Sequence, residues 1–189
     1  MEVLKNFLNN IYPINTEEMS DFLAAWKTIS YSKGEIISRE GEVENYFYFI
    51  EEGIQKAYYN KDGKEHVIAF TFPPSFTCIP ESFLTQKPSF YFLEAITNSR
   101  MLRISHSKIE EFAQNSHNIE KLLRKSHERV LAGLVVRYHQ ILAYPMEDRF
   151  TAFVKRSPHL LNQIPHKDLA SYLGMDPTNF SKLYNKIKL

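Results

Sequence analysis

The side chains most suited to chemistry lie near the C-terminus, where polar and basic residues recur along one face of a helical segment. They are Thr178, Asn179, Ser181, Lys182, Asn185 and Lys186. Short polar and basic side chains of this kind can reach base edges and phosphates in the major groove of DNA. Lys182 could donate to guanine O6 and N7, whereas Lys186 is expected at a phosphate. His166 and Lys167, which we place just before the preceding helix, are also expected to meet phosphate.

Two helices joined by a tight turn are needed to present that face. The first has an apolar side formed by Leu169, Ala170 and Leu173. Gly174 follows where the chain must turn, because glycine adopts positive φ without steric cost. Asp176 can cap the second helix and Pro177 suits its first position. The second helix has an apolar stripe of Phe180, Leu183 and Ile187. The pattern predicts a helix-turn-helix; the alternative is an ordinary helical hairpin.

The charge distribution favours the DNA interpretation. From Pro145 to the end the chain has seven Lys or Arg against four Asp or Glu, which is +3, whereas the whole chain is +1. Only this tail is therefore basic, as expected of a small nucleic-acid-binding module on a near-neutral body.

Composition limits the remaining function classes. The 189 residues are 43% hydrophobic and 14% aromatic, enough for one large domain or two small ones. No apolar run approaches the roughly 18 residues that span a bilayer, and the N-terminus lacks the pattern of a secretion signal. The single cysteine, Cys78, excludes an internal disulfide and a cysteine-ligated iron–sulfur cluster. We expect a cytoplasmic protein without membrane contact, cofactor or metal.

The front of the chain predicts helices up to about residue 30 and then a β-rich region. Asn15 or Thr16 could cap the second of these helices, after a break at Pro13. Segments rich in aromatic and β-branched residues then predict strands; they are 35–38, 46–50, 55–59, 66–72, 90–96 and 100–104. Asp62-Gly63 is typical of a hairpin turn. Short strands at regular spacing indicate an antiparallel barrel or sandwich.

A long helix is predicted from Ile119 to Tyr144, after a short one that starts near Ser107. Its apolar residues lie on or near one stripe, which a β-domain of this size need not cover entirely. A second copy of the chain could cover it, and the predicted dimer contacts are Leu123, Val130, Leu134, Tyr138 and Ile141. The alternative is that the helix packs within its own chain.

The order of these parts resembles the Crp/Fnr family of bacterial transcription regulators over nearly the whole chain. The motifs that carry the resemblance are Lys33 to Ile37, Glu40 to Glu42, Tyr48 to Ile50 with Gly53, Pro80 to Phe83 and Leu169 to Gly174. It implies an α+β fold with an N-terminal antiparallel β-roll of the jelly-roll type (residues 1–115), a long dimerisation helix (116–144) and a helix-turn-helix domain (145–189). It also implies a homodimer on a palindromic operator, and it allows an unidentified small-molecule effector and RNA polymerase as partners.

The chain departs from that family at two places. Pro80-Glu81-Ser82 stands where cyclic-AMP-binding members have Gly-Glu, so Glu81, Ser82 and Ser89 are the candidate ligand-pocket residues. No arginine lies between Arg39 and Arg100, so the usual clamp on the cyclic phosphate has no candidate, and Lys87 is the local cation. We therefore expect that cyclic AMP is not bound. The pocket is then empty, filled by Phe90 and Phe92, or open to another ligand. The family's wing after the second helix is expected to be absent.

Other functions find less support in the residues. Haem would need an axial ligand, for which the chain offers single histidines such as His66, His106, His117 and His127. A cupin-type metalloenzyme would need paired histidines on a strand, and His66 has no such neighbour. No nucleophile elbow, zinc-protease motif or phosphate-binding glycine loop occurs, so we expect no enzyme. The main alternative is a protein of the same fold that acts through protein contacts without binding DNA.

Overall fold

A computed structural model describes residues 1–186 of the chain. The fold is α+β, as predicted, and it divides into two compact units: residues 1–57 with 70–130, and residues 58–69 with 131–189. Ile187, the last residue of the predicted apolar stripe, lies outside the described residues, and the prediction about a wing likewise concerns the chain beyond residue 186. None of the described helices is long and apolar enough to cross a bilayer.

Two helices open the chain on either side of Pro13, as the sequence predicts. They are α1 (Glu2–Ile11) and α2 (Thr16–Ala24). Asn15 caps α2, since its side-chain oxygen accepts a hydrogen bond from the Glu18 N–H at 2.9 Å.

Eight strands form two four-stranded sheets. They are β1 (Lys27–Tyr31), β2 (Ile36–Ser38), β3 (Tyr46–Glu52), β4 (Gln55–Lys61), β5 (Lys64–Thr71), β6 (Ser75–Thr77), β7 (Phe92–Ala95) and β8 (Ser99–Ser105). The strand orders are β1-β8-β3-β6 and β2-β7-β4-β5. Six strands are as predicted. The assignment of residues up to about 30 to helix was wrong at its end, because residues 27–31 pair with β8, and β6 was not predicted.

The turn between β4 and β5 confirms the hairpin signal. Asp62 and Gly63 both adopt positive φ, at 53° and 74°. Positive φ at both central residues is the signature of a type I′ turn, whose twist matches the flanking strands.

The first sheet separates two apolar layers. Phe49, Leu102 and Ile104 pack with the helices, where Phe22, Trp26 and Ile119 complete the main core. The neighbouring residues Tyr48, Ile50 and Met101 form a second cluster. This alternation along β3 and β8 is the period-two pattern of a strand buried on both faces.

Six further helices follow, and the sequence predicted the four that begin at His106, His117, His166 and Pro177. The six are α3 (Pro80–Thr85), α4 (His106–Asn115), α5 (His117–Ala143), α6 (Met146–Arg156), α7 (His166–Leu173) and α8 (Pro177–Lys186), with a 3₁₀ turn at Pro158–Asn162. The predicted long helix is α5, which ends just before Pro145.

Candidate nucleic-acid interface and ligand site

The turn between α7 and α8 confirms the local chemistry read from the sequence. Gly174 has φ 64°, and the N–H groups of Gly174 and Met175 bond back to Ser171 and Ala170, each at 3.0 Å. This pair of bonds is a Schellman motif, which satisfies the last carbonyls of α7. Asp176 Oδ1 accepts from the Thr178 N–H at 2.7 Å, and this hydrogen bond lowers the pKa of the Asp176 carboxyl. The α7–turn–α8 geometry is therefore fixed by its own residues.

The apolar sides of the two helices meet in a core. Leu169, Ala170, Leu173 and Phe180 are all fully buried, as the spacing predicted. The Phe180 ring packs edge-on against Phe150 of α6, with ring centroids 5.4 Å apart. Burial of this side orients the opposite side of α8 outward.

The outward side of α8 carries the predicted DNA contacts. Thr178, Ser181, Lys182 and Lys186 are exposed and Asn179 is half-buried. Neither lysine forms an ion pair with a described residue, so both ammonium groups are available to phosphate or base. The Ser181 hydroxyl donates to the Pro177 carbonyl at 3.0 Å, which leaves its oxygen free to accept.

His166 and Lys167 lie differently from the prediction. They are the first two residues of α7, directly after the N-cap residue Pro165, rather than residues before the helix. The His166 ring contacts Tyr184 and Phe180 of α8, with centroids 4.3 Å and 5.2 Å away. Lys167 is exposed. His166 thus joins the two helices, and Lys167 remains the candidate phosphate contact.

The three predicted pocket residues form hydrogen bonds with other residues of the chain. The Ser82 hydroxyl is buried; it accepts from the Glu44 N–H at 2.9 Å and donates to the Lys87 carbonyl at 2.5 Å. Glu81 Oε1 accepts from the Ser89 hydroxyl at 3.3 Å and from the Phe90 N–H at 3.4 Å. Glu81 and Ser89 therefore lie together, while Ser82 has both hydrogen-bonding functions occupied by the fold.

A shallow surface cavity of about 450 Å³ adjoins this region. Its lining is formed by Glu40, Gly41, Lys87, Pro88, Ser89 and Phe90. Phe90 is 72% exposed, so its ring does not fill the interior of the β-roll, and Phe92 is half-buried. Lys87 is the cation of this cavity, as expected from the sequence.

Glu44 was not singled out from the sequence. It is only 4% exposed, and its carboxylate accepts hydrogen bonds from the Ser38 hydroxyl and, at 3.1 Å, from the Tyr46 N–H. Burial raises the pKa of this carboxyl, although those hydrogen bonds act in the opposite direction. One of several glutamates after Gly41, Glu44 carries no local signal that would mark it as the buried one.

A chain of hydrogen-bonded side chains links the strands of the β-roll. The Gln55 amide donates to the Ser99 hydroxyl at 2.8 Å, and the Thr71 hydroxyl lies 3.1 Å from Thr77 Oγ1 and 3.4 Å from Gln55 Oε1. These polar groups satisfy one another, as buried polar groups must. Among residues 1–186 no group of three His, Cys, Asp or Glu side chains is arranged to hold a metal.

Comparison with known proteins agrees with this architecture. Residues 28–116 match the model of the cyclic nucleotide-binding domain. No curated protein sequence matches the chain significantly.

Several solved structures share the fold. FixK2 from Bradyrhizobium japonicum is 19% identical with a TM-score of 0.74, and the alignment covers 85% of this chain and 83% of that one. The Thermus thermophilus catabolite activator protein is 16% identical with a TM-score of 0.58, over 93% and 84% of the two chains. The sensor domain of the transcriptional regulator DNR from Pseudomonas aeruginosa is 21% identical with a TM-score of 0.56, over 76% and 91%.

The resemblance inferred from the motifs is thereby confirmed at the level of the fold. Residues 28–116 match a cyclic nucleotide-binding domain, and the chain shares the fold of FixK2 over 85% of its length and the fold of the catabolite activator protein over 93%.

Proposed function

We propose that the chain is a transcription regulator that binds a palindromic operator as a homodimer through α8. The observation that carries the proposal is the exposed polar face of α8, which stands opposite a fully buried apolar side in a capped helix-turn-helix. A second helix of this kind normally lies in the major groove with its N-terminal residues at the base edges.

An exposed apolar stripe on α5 supports the homodimer. Val130, Leu134, Tyr138 and Ile141 are exposed by 51%, 58%, 65% and 45%. Apolar residues gathered on one helix face in this way mark a surface that another chain covers. Leu123 differs from the other four predicted contacts, because it packs partly buried against the core of the first unit.

Selection of binding sites from random duplex DNA tests the proposal. We expect enrichment of a palindrome whose half-sites are roughly 34–36 Å apart. Lys182→Ala should cost roughly 1–3 kcal/mol and relax the preference at one base pair, whereas Lys167→Ala should weaken all sequences alike and reduce the salt slope by about one.

Lys27→Ala, which removes an exposed lysine from β1, is the matched control and should bind as the wild type does. If selection enriches no palindrome and Lys182→Ala binds unchanged, the protein is a relative of the same fold that acts through protein contacts.

The proposal includes a β-roll that does not bind cyclic AMP. A cyclic phosphate needs strong, charged donors to replace its water, and the cavity beside Glu81 offers only Lys87. The Glu81 carboxylate and the Ser82 hydroxyl are already engaged by the chain. Isothermal titration with cyclic AMP and cyclic GMP should give no binding heat at hundreds of micromolar ligand, and micromolar affinity for either would contradict this.

A further inference from the structure

Three arginines of the second unit converge on the C-terminal end of α7. Arg137 of α5 lies over the Tyr172 ring, with its guanidinium carbon 4.0 Å from the ring centroid, and donates to the Tyr172 carbonyl. Arg156 of α6 donates to the Tyr172 hydroxyl at 3.3 Å. Tyr172 is thus held on its ring, its carbonyl and its hydroxyl.

Arg149 of α6 joins two helix ends. One of its terminal nitrogens donates to the carbonyls of Ile141 and Tyr144, both at 3.2 Å, and the other donates to the Gly174 carbonyl at 3.1 Å. The first two carbonyls belong to the end of α5, and the third to the turn between α7 and α8. Because a guanidinium is planar and donates in fixed directions, this one side chain fixes the two ends relative to each other.

Ion pairing does not explain the cluster. None of the three arginines pairs with a carboxylate among residues 1–186. Arg137 and Arg149 donate to carbonyls at the negative ends of helices, and Arg156 donates to the Tyr172 hydroxyl. The Nε–H groups of Arg137 and Arg149 are buried without an acceptor. Burial lowers the pKa of Arg137, and the neighbouring charges of Arg156 and Arg149 act in the same direction. Arg137 and Arg149 are half-buried and Arg156 is exposed. Because a half-buried guanidinium beside two like charges costs stability, we attribute to the cluster a geometric role, in which the planar fork of each side chain fixes the positions of its acceptors.

The position of Arg137 on α5 connects these arginine contacts with the proposed dimer surface. Leu134, Tyr138 and Ile141, which form the exposed stripe, lie on the same turns of α5 as Arg137. The surface that would join two copies and the side chain that holds α7 therefore share one rigid segment of helix.

We propose that Arg137 and Arg149 are positioning residues that set which half-site spacing the dimer accepts; this inference rests on the proposed function. Inserting one base pair moves a half-site by roughly 3.4 Å along the duplex and also rotates it about the axis. A helix-turn-helix that these hydrogen bonds hold against α5 cannot follow that change, whereas a helix-turn-helix without them can move to the shifted half-site.

The experiment measures binding of the full chain to the selected palindrome and to versions with one or two base pairs inserted or removed between the half-sites. Arg149→Lys and Arg137→Lys keep the charge and remove the fork. We expect the affinity ratio between the best spacing and its one-base-pair neighbours to fall at least threefold in each variant, with an unchanged salt slope. Arg124→Lys, an exposed position on α5 whose guanidinium pairs with Glu128, is the control and should keep the wild-type ratio.

The outcomes separate the two proposals. General loss of stability would weaken all spacings equally and leave the ratio unchanged, which would overturn the positioning role. A salt slope that falls by about one in Arg149→Ala, which removes the charge, would place the arginine on a DNA phosphate and overturn the positioning role as well. If Arg149→Lys does not fold, Arg137→Lys decides alone. A wild-type protein that selects no palindrome would overturn the proposed function together with this inference.

Discussion

Both halves of α5 carry apolar residues at helical spacing, but these residues are buried in the first half and exposed in the second. In the first half Ile119 and Leu122 have no exposed surface, because they complete the core of the first unit. In the second half Leu134 and Tyr138 are exposed by 58% and 65%. The apolar rhythm of a helix thus shows that a face will be covered, but it does not show whether the covering surface belongs to the same chain.

A charge placed in each half gives the largest expected contrast. Leu122→Asp buries an unpaired carboxylate in the core and should unfold the first unit. Leu134→Asp should leave the chain folded and abolish the dimer, because the charge would be buried only in the interface. Circular dichroism measures the folding, and size-exclusion chromatography with light scattering measures the mass.

The controls are the isosteric changes Leu122→Asn and Leu134→Asn, which should show the same contrast with smaller effects. A wild-type protein that is monomeric at micromolar concentration would remove the basis for the comparison.

Two glycines, one in the buried part of the first unit and one in the exposed half of α5, extend the comparison to the backbone. Gly53 has φ 94°, and a Cβ there would lie 2.6 Å from the Asn98 carbonyl oxygen and against the Ser99 hydroxyl. Gly53→Ala should destabilise the first unit by about 1–3 kcal/mol from the backbone conformation alone, and by more through the overlap. Gly133, in the exposed half of α5, has nothing within 4 Å of such a Cβ.

Gly133→Ala should therefore stabilise α5 by about 1 kcal/mol, through helix propensity. Urea unfolding followed by circular dichroism measures both variants. Equal effects of the same sign would show that the two positions do not differ as the structure indicates.

The smallest expected effect concerns the buried Glu44 of the first unit. Since burial raises its pKa above the ordinary 4.5, the folded state holds the protonated form better than the unfolded state does. Stability is then fully present below about pH 4.5 and is lost as pH rises through the raised pKa. The melting temperature of Glu44→Gln relative to wild type should rise between pH 4.5 and pH 8. The exposed neighbour Glu42, changed to Gln, should show no such trend.

Turn and cap conformations, which depend on neighbouring residues, were predicted correctly from the sequence, whereas a strand that depends on a distant partner was missed. Gly174, Asp176 and the Asp62-Gly63 turn were predicted because each conformation depends on residues within a few positions. Strand β1 was missed because its partner β8 lies about seventy positions further along the chain, and nothing within residues 27–31 reveals that pairing.

The candidate site divides in the same way. The outward face of α8 follows from helical spacing, and Lys182 lies where that spacing places it. Arg149 could not be recognised, because its acceptors are backbone carbonyls, which every residue possesses. Ser82 was expected beside a ligand because of a motif, yet its hydroxyl is used by the Glu44 N–H and the Lys87 carbonyl, which only the fold brings near.

Trp26 gives the molecule a built-in spectroscopic reporter. It is the chain's one tryptophan, and it is buried in the first unit between the rings of Phe22 and Phe76. Its fluorescence will shift to longer wavelength when water reaches the indole, and so it follows the melting of that unit alone. Helical ellipticity, by contrast, draws on α6, α7 and α8 as well. Where the two signals separate during heating, the chain melts in more than one step, and the distance between the curves gives the difference in melting temperature between the first unit and the rest of the helices.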